Sequence, residues 1–299
     1  LAEPTDATKV FSTQLQNAGG TYTKTTGFVA DMILQASRAS VIVHRPYDRL
    51  RGGSKYLETS STSAEASGGT MQFDNNTGYT GVTSLNTVDW IWKRARGYFD
   101  VVAYKGTGSN RTVSHNLGAV PEMIWVKARN WAEDWNVYHS ALGNEAYLKL
   151  NTTDQVVTST NNRWNSTSPT ASVFSLGTTD GVNKNSYNYI AYLFASVPNV
   201  SFVGSYTGSS SAVNVDCGFT SGARFILIKR SSASGDGWFT FDSERGIVAG
   251  NDPFLYLNDT QSEFTSYDAI DPYNAGFTVT TALAGLNTNG STYIFYAIA

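Results

Sequence analysis

The sequence predicts an all-β protein, built from tandem antiparallel β-sandwich domains of jelly-roll-like character behind a short N-terminal helix or linker. Three observations carry that expectation. The first is composition: of 299 residues only 15% are charged while 13% are aromatic, and Ser, Thr, Asn and Gly fill much of the remainder. Those polar residues are poor helix formers, and aromatic side chains favour strands. The second is punctuation. Turn signals such as Gly106-Thr107-Gly108, Asp180-Gly181 and Asn289-Gly290 recur about every 8–12 residues, the spacing of short strands in sandwiches. The third is repetition, with one strand-like phrase written three times about a hundred residues apart.

Met32-Ile33-Leu34 precedes Tyr47-Asp48-Arg49-Leu50-Arg51-Gly52. Met123-Ile124-Trp125-Val126-Lys127 precedes Tyr138-His139-Ser140-Ala141-Leu142-Gly143. Phe225-Ile226-Leu227-Ile228-Lys229 precedes Phe241-Asp242-Ser243-Glu244-Arg245-Gly246. Further on, Tyr56-Leu57-Glu58, Tyr147-Leu148-Lys149 and Phe254-Leu255-Tyr256 correspond, and each copy closes on Val88-Asp89-Trp90-Ile91-Trp92, Tyr189-Ile190-Ala191-Tyr192 or Tyr293-Ile294-Phe295-Tyr296. The second and third copies are offset by 102 residues at Ile124/Ile226 and by 104 at Tyr189/Tyr293, so they align almost without gaps. The first is shorter and more diverged, with Leu34-Gln35-Ala36 where the others have an apolar residue and Lys. A period of this length is a domain-sized unit. A side chain shared by all copies serves the fold, and function comes from what differs between copies or from repetition itself.

In chain order, residues 5–18 predict a short helix capped by Thr5 or Asp6, with Val10, Phe11 and Leu15 as its apolar stripe and Gly19-Gly20 as its end. Segment 1–20 thus reads as a linker or docking segment. Residues 21–97, 98–197 and 198–299 read as three β-sandwich repeats, with boundaries near Arg96-Gly97 and Val197-Pro198-Asn199. Tyr22-Thr23-Lys24-Thr25 and Phe277-Thr278-Val279-Thr280 alternate as strands do, whereas the apolar runs Met123 to Val126 and Phe225 to Ile228 read as central strands buried on both faces. Connections this short leave little room for hinging, so the domains are expected to be strung as a stiff rod.

A net charge of −3 provides no basic field for nucleic acid or an anionic membrane. No apolar run approaches the roughly 18 residues of a membrane span. Cys217, the single cysteine, permits neither an intrachain disulfide nor a thiolate metal cluster and reads as a small buried residue. The chain begins at Leu1 without a signal-peptide pattern, which reads as a processed product or part of a longer polypeptide.

Catalytic signals are thin. His44, His115 and His139 have no metal-ligand spacing, and no Ser sits in a nucleophile elbow. His139 aligns with Asp48 and Asp242, so its slot asks for a polar group and not for imidazole. Glu133-Asp134, and Asp268 with Asp271, are loop carboxylates of the kind a glycan hydrolase would pair, but adjacent acids in loops usually form solvated turns. Asp180 with Asn183 and Asn185, or Asp252 with Asp259, lack the spacing of an EF-hand. No metal and no cofactor are expected. Aromatics are more suggestive. Trp135 has a counterpart in Trp238 and reads as core, whereas Trp131 and Trp164 have none and lie in polar loops. A loop Trp can stack on a sugar face while neighbouring amides bond its hydroxyls. Trp131, Trp164, Asn130, Arg163 and Asn165 are therefore the candidate ligand-binding residues, set against packing at a sandwich edge or a subunit interface. Sequons such as Asn110-Arg111-Thr112 occur by chance in so Asn- and Thr-rich a chain.

The phrases His115-Asn116-Leu117-Gly118, Pro121-Glu122-Met123-Ile124-Trp125-Val126-Lys127 and Trp164-Asn165-Ser166-Thr167-Ser168-Pro169-Thr170 resemble a repeat found in virion proteins of tailed bacteriophages, notably cyanophages, usually labelled tail fibre or virion structural protein. The first and third copies resemble a variant of it through Tyr47-Asp48, Arg51-Gly52 and Phe241-Asp242-Ser243-Glu244-Arg245-Gly246. The resemblance covers about residues 21–299 and brings no catalytic signature. It implies a non-enzymatic virion structural protein at the particle surface, a fibre or appendage. Its implied partners are other virion proteins, its own copies in a homotrimer, and a host-surface glycan. The alternatives are a polysaccharide depolymerase, a head decoration protein and a carbohydrate-binding lectin.

Overall fold

The computed structural model describes residues 1–39, 41–83, 86–158 and 162–299, and it shows the all-β, antiparallel class expected from the sequence. Among the described residues the strands form three series of eight. The first comprises β1 (Phe11–Gln16), β2 (Gly20–Thr25), β3 (Met32–Ser37), β4 (Arg45–Asp48), β5 (Lys55–Tyr56), β6 (Ala66–Ser67), β7 (Gly78–Thr83) and β8 (Thr87–Trp92). The second comprises β9 (Phe99–Lys105), β10 (Arg111–Ser114), β11 (Met123–Ala128), β12 (Asn136–His139), β13 (Ala146–Lys149), β14 (Val157–Thr158), β15 (Val173–Leu176) and β16 (Asn188–Phe194). The third comprises β17 (Ser201–Thr207), β18 (Val213–Asp216), β19 (Phe225–Arg230), β20 (Trp238–Asp242), β21 (Leu255–Tyr256), β22 (Ile270–Tyr273), β23 (Gly276–Val279) and β24 (Thr292–Ile298). In each series the last strand lies between the first and third, giving main sheets β1-β8-β3-β4, β9-β16-β11-β12-β13-β14 and β17-β24-β19-β20-β21. A smaller sheet accompanies each: β2-β7, β10-β15 and β18-β23-β22.

The apolar runs are central strands because they have two cores to fill. Successive side chains of a strand point to opposite faces. Met123 and Trp125 of β11 enter one cluster, together with Ile190, Tyr192 and Phe194 of β16. Ile124, Val126 and Ala128 enter another, against Val113, Phe174 and Leu176 of the small sheet. In the first series Met32, Leu34, Trp90 and Trp92 face the first cluster while Ile33 and Ile91 face Tyr22 and Tyr79.

That first cluster is shared by all three repeats. Trp92 of the first meets Phe194 of the second at 6.4 Å between ring centroids and Phe225 of the third at 5.6 Å, nearly perpendicular. Phe194 meets Tyr296 at 5.1 Å, and Phe11 touches both Trp92 and Phe225. Edge-to-face and tilted rings at these separations contribute about 0.5–1.5 kcal/mol per pair beyond area burial. The stiff rod expected from the sequence is therefore corrected: the inner faces of the three main sheets meet in one aromatic core. The N-terminal helix is corrected too. Residues Ala7–Lys9 make one 3₁₀ turn, capped by Asp6, and Phe11–Gln16 form a strand. β1 pairs with β8 as β9 pairs with β16 and β17 with β24, so the segment 1–20 supplies the first repeat's edge strand.

Junctions around this core run in a closed cycle. Register makes Trp90, Tyr192 and Tyr296 equivalent, each opposite the third residue of its neighbouring strand. At the first junction Tyr192 donates to Asp48 at 2.7 Å and accepts from Arg51 at 3.0 Å. At the third, Trp90 donates to Asp242 at 2.9 Å and lies under the Arg245 guanidinium. Both Asp–Arg pairs are fully buried. Each arginine reaches an acid, Glu65 or Glu263, which pairs across the junction with Arg129 or Arg38. The second junction has no such charges at these positions: His139, Leu142, Val156 and Ser231 take the equivalent places. There His139 Nδ1 accepts from the Ala141 N–H, as the carboxylates of Asp48 and Asp242 accept from Arg51 and Arg245, and Nε2 faces the Phe295 carbonyl at 3.4 Å. Buried lysines add to the junctions: Lys127 donates to the Thr62 carbonyl, Lys229 to that of Thr153, and burial pushes each down to about 8.

Two outcomes are expected. Trp92→Ala lowers stability by about 3–5 kcal/mol, the cost of emptying a large buried aromatic site, measured by chemical denaturation. Asp48→Ala leaves Arg51 buried without its partner and costs about 3–5 kcal/mol, whereas the triple replacement Asp48→His/Arg51→Leu/Glu65→Val, which imports the second junction's residues, costs less than that single change.

Candidate functional site

The five candidate residues do not form one site. Trp164 is 3% exposed; its indole N–H donates to the Ala146 carbonyl at 3.0 Å and its ring meets Tyr138 edge-on. It is a core residue, because its chain segment folds back over β12 and β13. Arg163 lays its guanidinium 3.3 Å from the centroid of the Tyr147 ring and donates to Asn136. Asn165 takes a left-handed backbone with φ of 52°, and its carbonyl accepts from Thr167. Trp131 lies beyond the far end of β11, half-buried under the Lys184 ammonium at 3.9 Å and edge-on to Tyr187. The exposed Asn130 accepts from the Asn188 N–H. Its own neighbours already cover much of Trp131, so no open platform joins the two tryptophans.

The other candidate groups are held in scaffold contacts. Asp134 accepts from Lys149 and Asn151, which together outweigh burial and keep its carboxyl below the usual range. Asn183 accepts from Thr107 and donates to the Ser109 and Gly177 carbonyls, and Asn287 repeats those bonds with Ser209, Ser211 and Thr280. Asp252 accepts three backbone N–H groups, from Val248, Ala269 and Ile270. Among the described residues no cluster of three His, Cys, Asp or Glu side chains could hold a metal ion. Burial pushes the Cys217 thiol up to about 12, which leaves it a poor nucleophile at neutral pH. His115 stacks on Phe174 and accepts from the Leu117 N–H. His44 occupies the place of Trp135 and Trp238, whose indoles donate across their junctions to Glu58 and Lys149.

Among the surface cavities, one is lined by the first repeat alone and lies where the other two repeats carry a helical turn. This open recess has a volume of about 320 Å³ and is lined by Gln35, Arg45, Thr70 and Thr87, with Val43 and Val82 among its apolar groups. Four sequence differences create it. In the second repeat the helical turn Asp180–Asn183 (α1) joins β15 to β16, and in the third Ala284–Asn287 (α2) joins β23 to β24. Gly181 of α1 lies so close to Asn136 that a Cβ would come within 2.9 Å of its amide, and Gly285 of α2 stands likewise against Phe239. Those two positions correspond to Arg45. In the first repeat β7 ends at Thr83 and β8 begins at Thr87, too short an interval for a four-residue turn. Thr87 also replaces Tyr189 and Tyr293, which reach the carbonyls of Asp180 and Ala284 and hold the turns down. Gln35 replaces Val126 and Ile228, and Arg45 replaces Asn136 and Phe239.

The result is a polar recess where the sister repeats are filled. Arg45 Nε and the hydroxyl of Thr87, a residue 4% exposed, are buried without a hydrogen-bond partner among the described residues. A buried polar atom left unpaired costs about 1–3 kcal/mol, so such atoms mark places where a further group fits. The Arg45 guanidinium rests on the Tyr56 ring at 4.4 Å. Behind the lining, Gln35 donates to the Tyr22 hydroxyl, and Tyr22 and Tyr79 both donate to Asp89 at 2.7 Å; burial pushes Asp89 up to about 6. In the sequence Gln35 shows only as a departure from the repeat, without its place at a recess. The usable signal was the shortened interval before Val88, together with Thr where the sister repeats carry Tyr.

Three interlocked repeats define an all-β repeat body whose most divergent unit carries this recess. The model of a family described as "Domain of unknown function (DUF7483)" matches residues 6–299, taking in β1 and all three repeats, and the chain belongs to that family. A search of curated proteins finds no match.

The junction imidazoles make stability depend on acid. Burial holds His139 down to about 4 and, with Arg245 nearby, His44 as well. Between about 4 and 6.5 the unfolded chain binds protons that these folded sites refuse, so stability is lost as pH falls through that window. Asp89 acts in the opposite sense, its raised value favouring the fold at low pH. The difference between variants isolates the imidazole: His139→Gln, compared with the parent by denaturation at pH 7 and pH 4, is expected to recover on the order of 2 kcal/mol of the acid-side loss.

Proposed function

We propose that the chain is a non-catalytic structural and adhesive module of a tailed-phage particle, a fibre or surface appendage that contacts a host-surface glycan. The observation that carries the reading is the contrast between repeats. At one equivalent place the second and third repeats are filled by a helical turn, and the first repeat is opened there into a recess of about 320 Å³. Interlocked junctions and a shared aromatic core suit a part that must bear load and hold a recess in fixed orientation. The virion setting comes from the resemblance of the repeat phrases to phage structural proteins. Acting as a homotrimer, the chain would present three recesses around one axis, so that weak contacts multiply by effective concentration.

Purified particles of the phage that encodes the chain test this reading, by mass spectrometry and by imaging with the chain traced in place. The expected result is density for the three-sheet body at the tail or capsid surface in threefold copies. Absence of the chain from the particle overturns the proposal, as does release of reducing sugar ends when the purified protein is incubated with host polysaccharide.

A further inference from the structure

We propose that the first-repeat cavity binds one acidic monosaccharide unit, a pyranose bearing a carboxylate, and that Arg45 is its charge-recognising residue. The inference rests on the adhesive reading above and names the ligand class of that site. Its size sets the first limit: about 320 Å³ is at the lower end of the range for small-molecule sites, room for one sugar ring and little more. Its lining sets the second. Thr70, Thr87 and Gln35 offer hydroxyl and amide groups suited to sugar hydroxyls, while Val43 and Val82 supply an apolar flank for the C–H face of a ring. Its charge sets the third. Arg45 is the one ionised side chain among the described lining residues, and its Nε is buried without a partner.

A neutral hexose would leave the positive charge of Arg45 without a counter-charge in a recess partly shielded from water. A carboxylate would take a charge-assisted hydrogen bond there, the strong kind, with geometry a guanidinium matches by presenting parallel N–H groups. Tyr56 under the guanidinium fixes the approach plane. Asp89 lies behind the Gln35 and Tyr22 layer with both tyrosine hydroxyls donating to its Oδ2, so that layer stands between its carboxylate and the ligand. The unpaired Thr87 hydroxyl is available to a sugar hydroxyl beside the carboxylate.

Ligand-observed saturation-transfer NMR on the full chain tests this, with glucuronate, galacturonate and N-acetylneuraminate as probes and glucose and galactose as neutral controls. At least one acidic sugar is expected to bind, with its neutral counterpart about tenfold weaker, the loss of one charged hydrogen bond. Arg45→Gln abolishes that preference while keeping an amide donor in place. Thr87→Tyr, which imports the residue of the other two repeats, abolishes binding of every probe, and an unchanged melting temperature shows that the fold persists. No binding by any of the three acids, equal binding of acidic and neutral sugars, or binding that survives Thr87→Tyr overturns the inference. Sugar binding by a chain absent from the particle defeats the virion reading and leaves this one standing; a chain present on the particle that binds none of the acids does the reverse.

Discussion

Everything in this fold depends on one turn, in which a buried polar side chain caps its own backbone and reaches the closing strand of the neighbouring repeat. Asp48 does both at the first junction, accepting from the Arg51 N–H and from Tyr192. Asp242 does both at the third, with Arg245 and Trp90. His139 keeps the cap at the second and meets a backbone carbonyl in place of a side chain. The cap ties local chain direction to a long-range contact, so the turn cannot relax without loosening a junction. Because the contacts close on themselves, each repeat is held on two sides.

The chemistry of the three turns shows two solutions to one problem. A buried Asp–Arg pair is costly to desolvate and is favourable only when its remaining groups are satisfied. Here they are: each arginine also meets a second acid and a backbone carbonyl, Pro46 for Arg51 and Thr240 for Arg245. The second junction avoids the cost by using His139, held neutral by burial, with Leu142 and Val156. The three turns sit around one aromatic core, which supplies most of the apolar burial the sheets share.

Much of this was legible in the sequence. The repeat, its anchor strands and the two-sided burial of Met123 to Val126 follow from alternation and spacing. Ring closure was not legible, because its charges look like ordinary loop residues. Arg38 and Glu263 lie 225 positions apart and meet only once the third repeat packs on the first. Residues 5–18 misread as a helix because Val10, Phe11 and Leu15 fit a helical stripe, whereas an unpaired edge of β8 gives a strand more to gain. Trp164 stood as a candidate ligand contact, set against packing, because its polar neighbours suggested a loop; its indole N–H finds the Ala146 carbonyl inside the second repeat. The cavity was half visible, as Gln35 and a short interval, but its meaning needed the helical turns of the sister repeats for comparison.

The central claim is that three sequence repeats make one cooperative body and not a string of domains. Differential scanning calorimetry of the whole chain addresses it most directly. The account predicts a single transition whose calorimetric enthalpy equals its van't Hoff enthalpy, since no repeat can leave the shared core alone. Resolved transitions, or a calorimetric enthalpy two to three times the van't Hoff value, would contradict it.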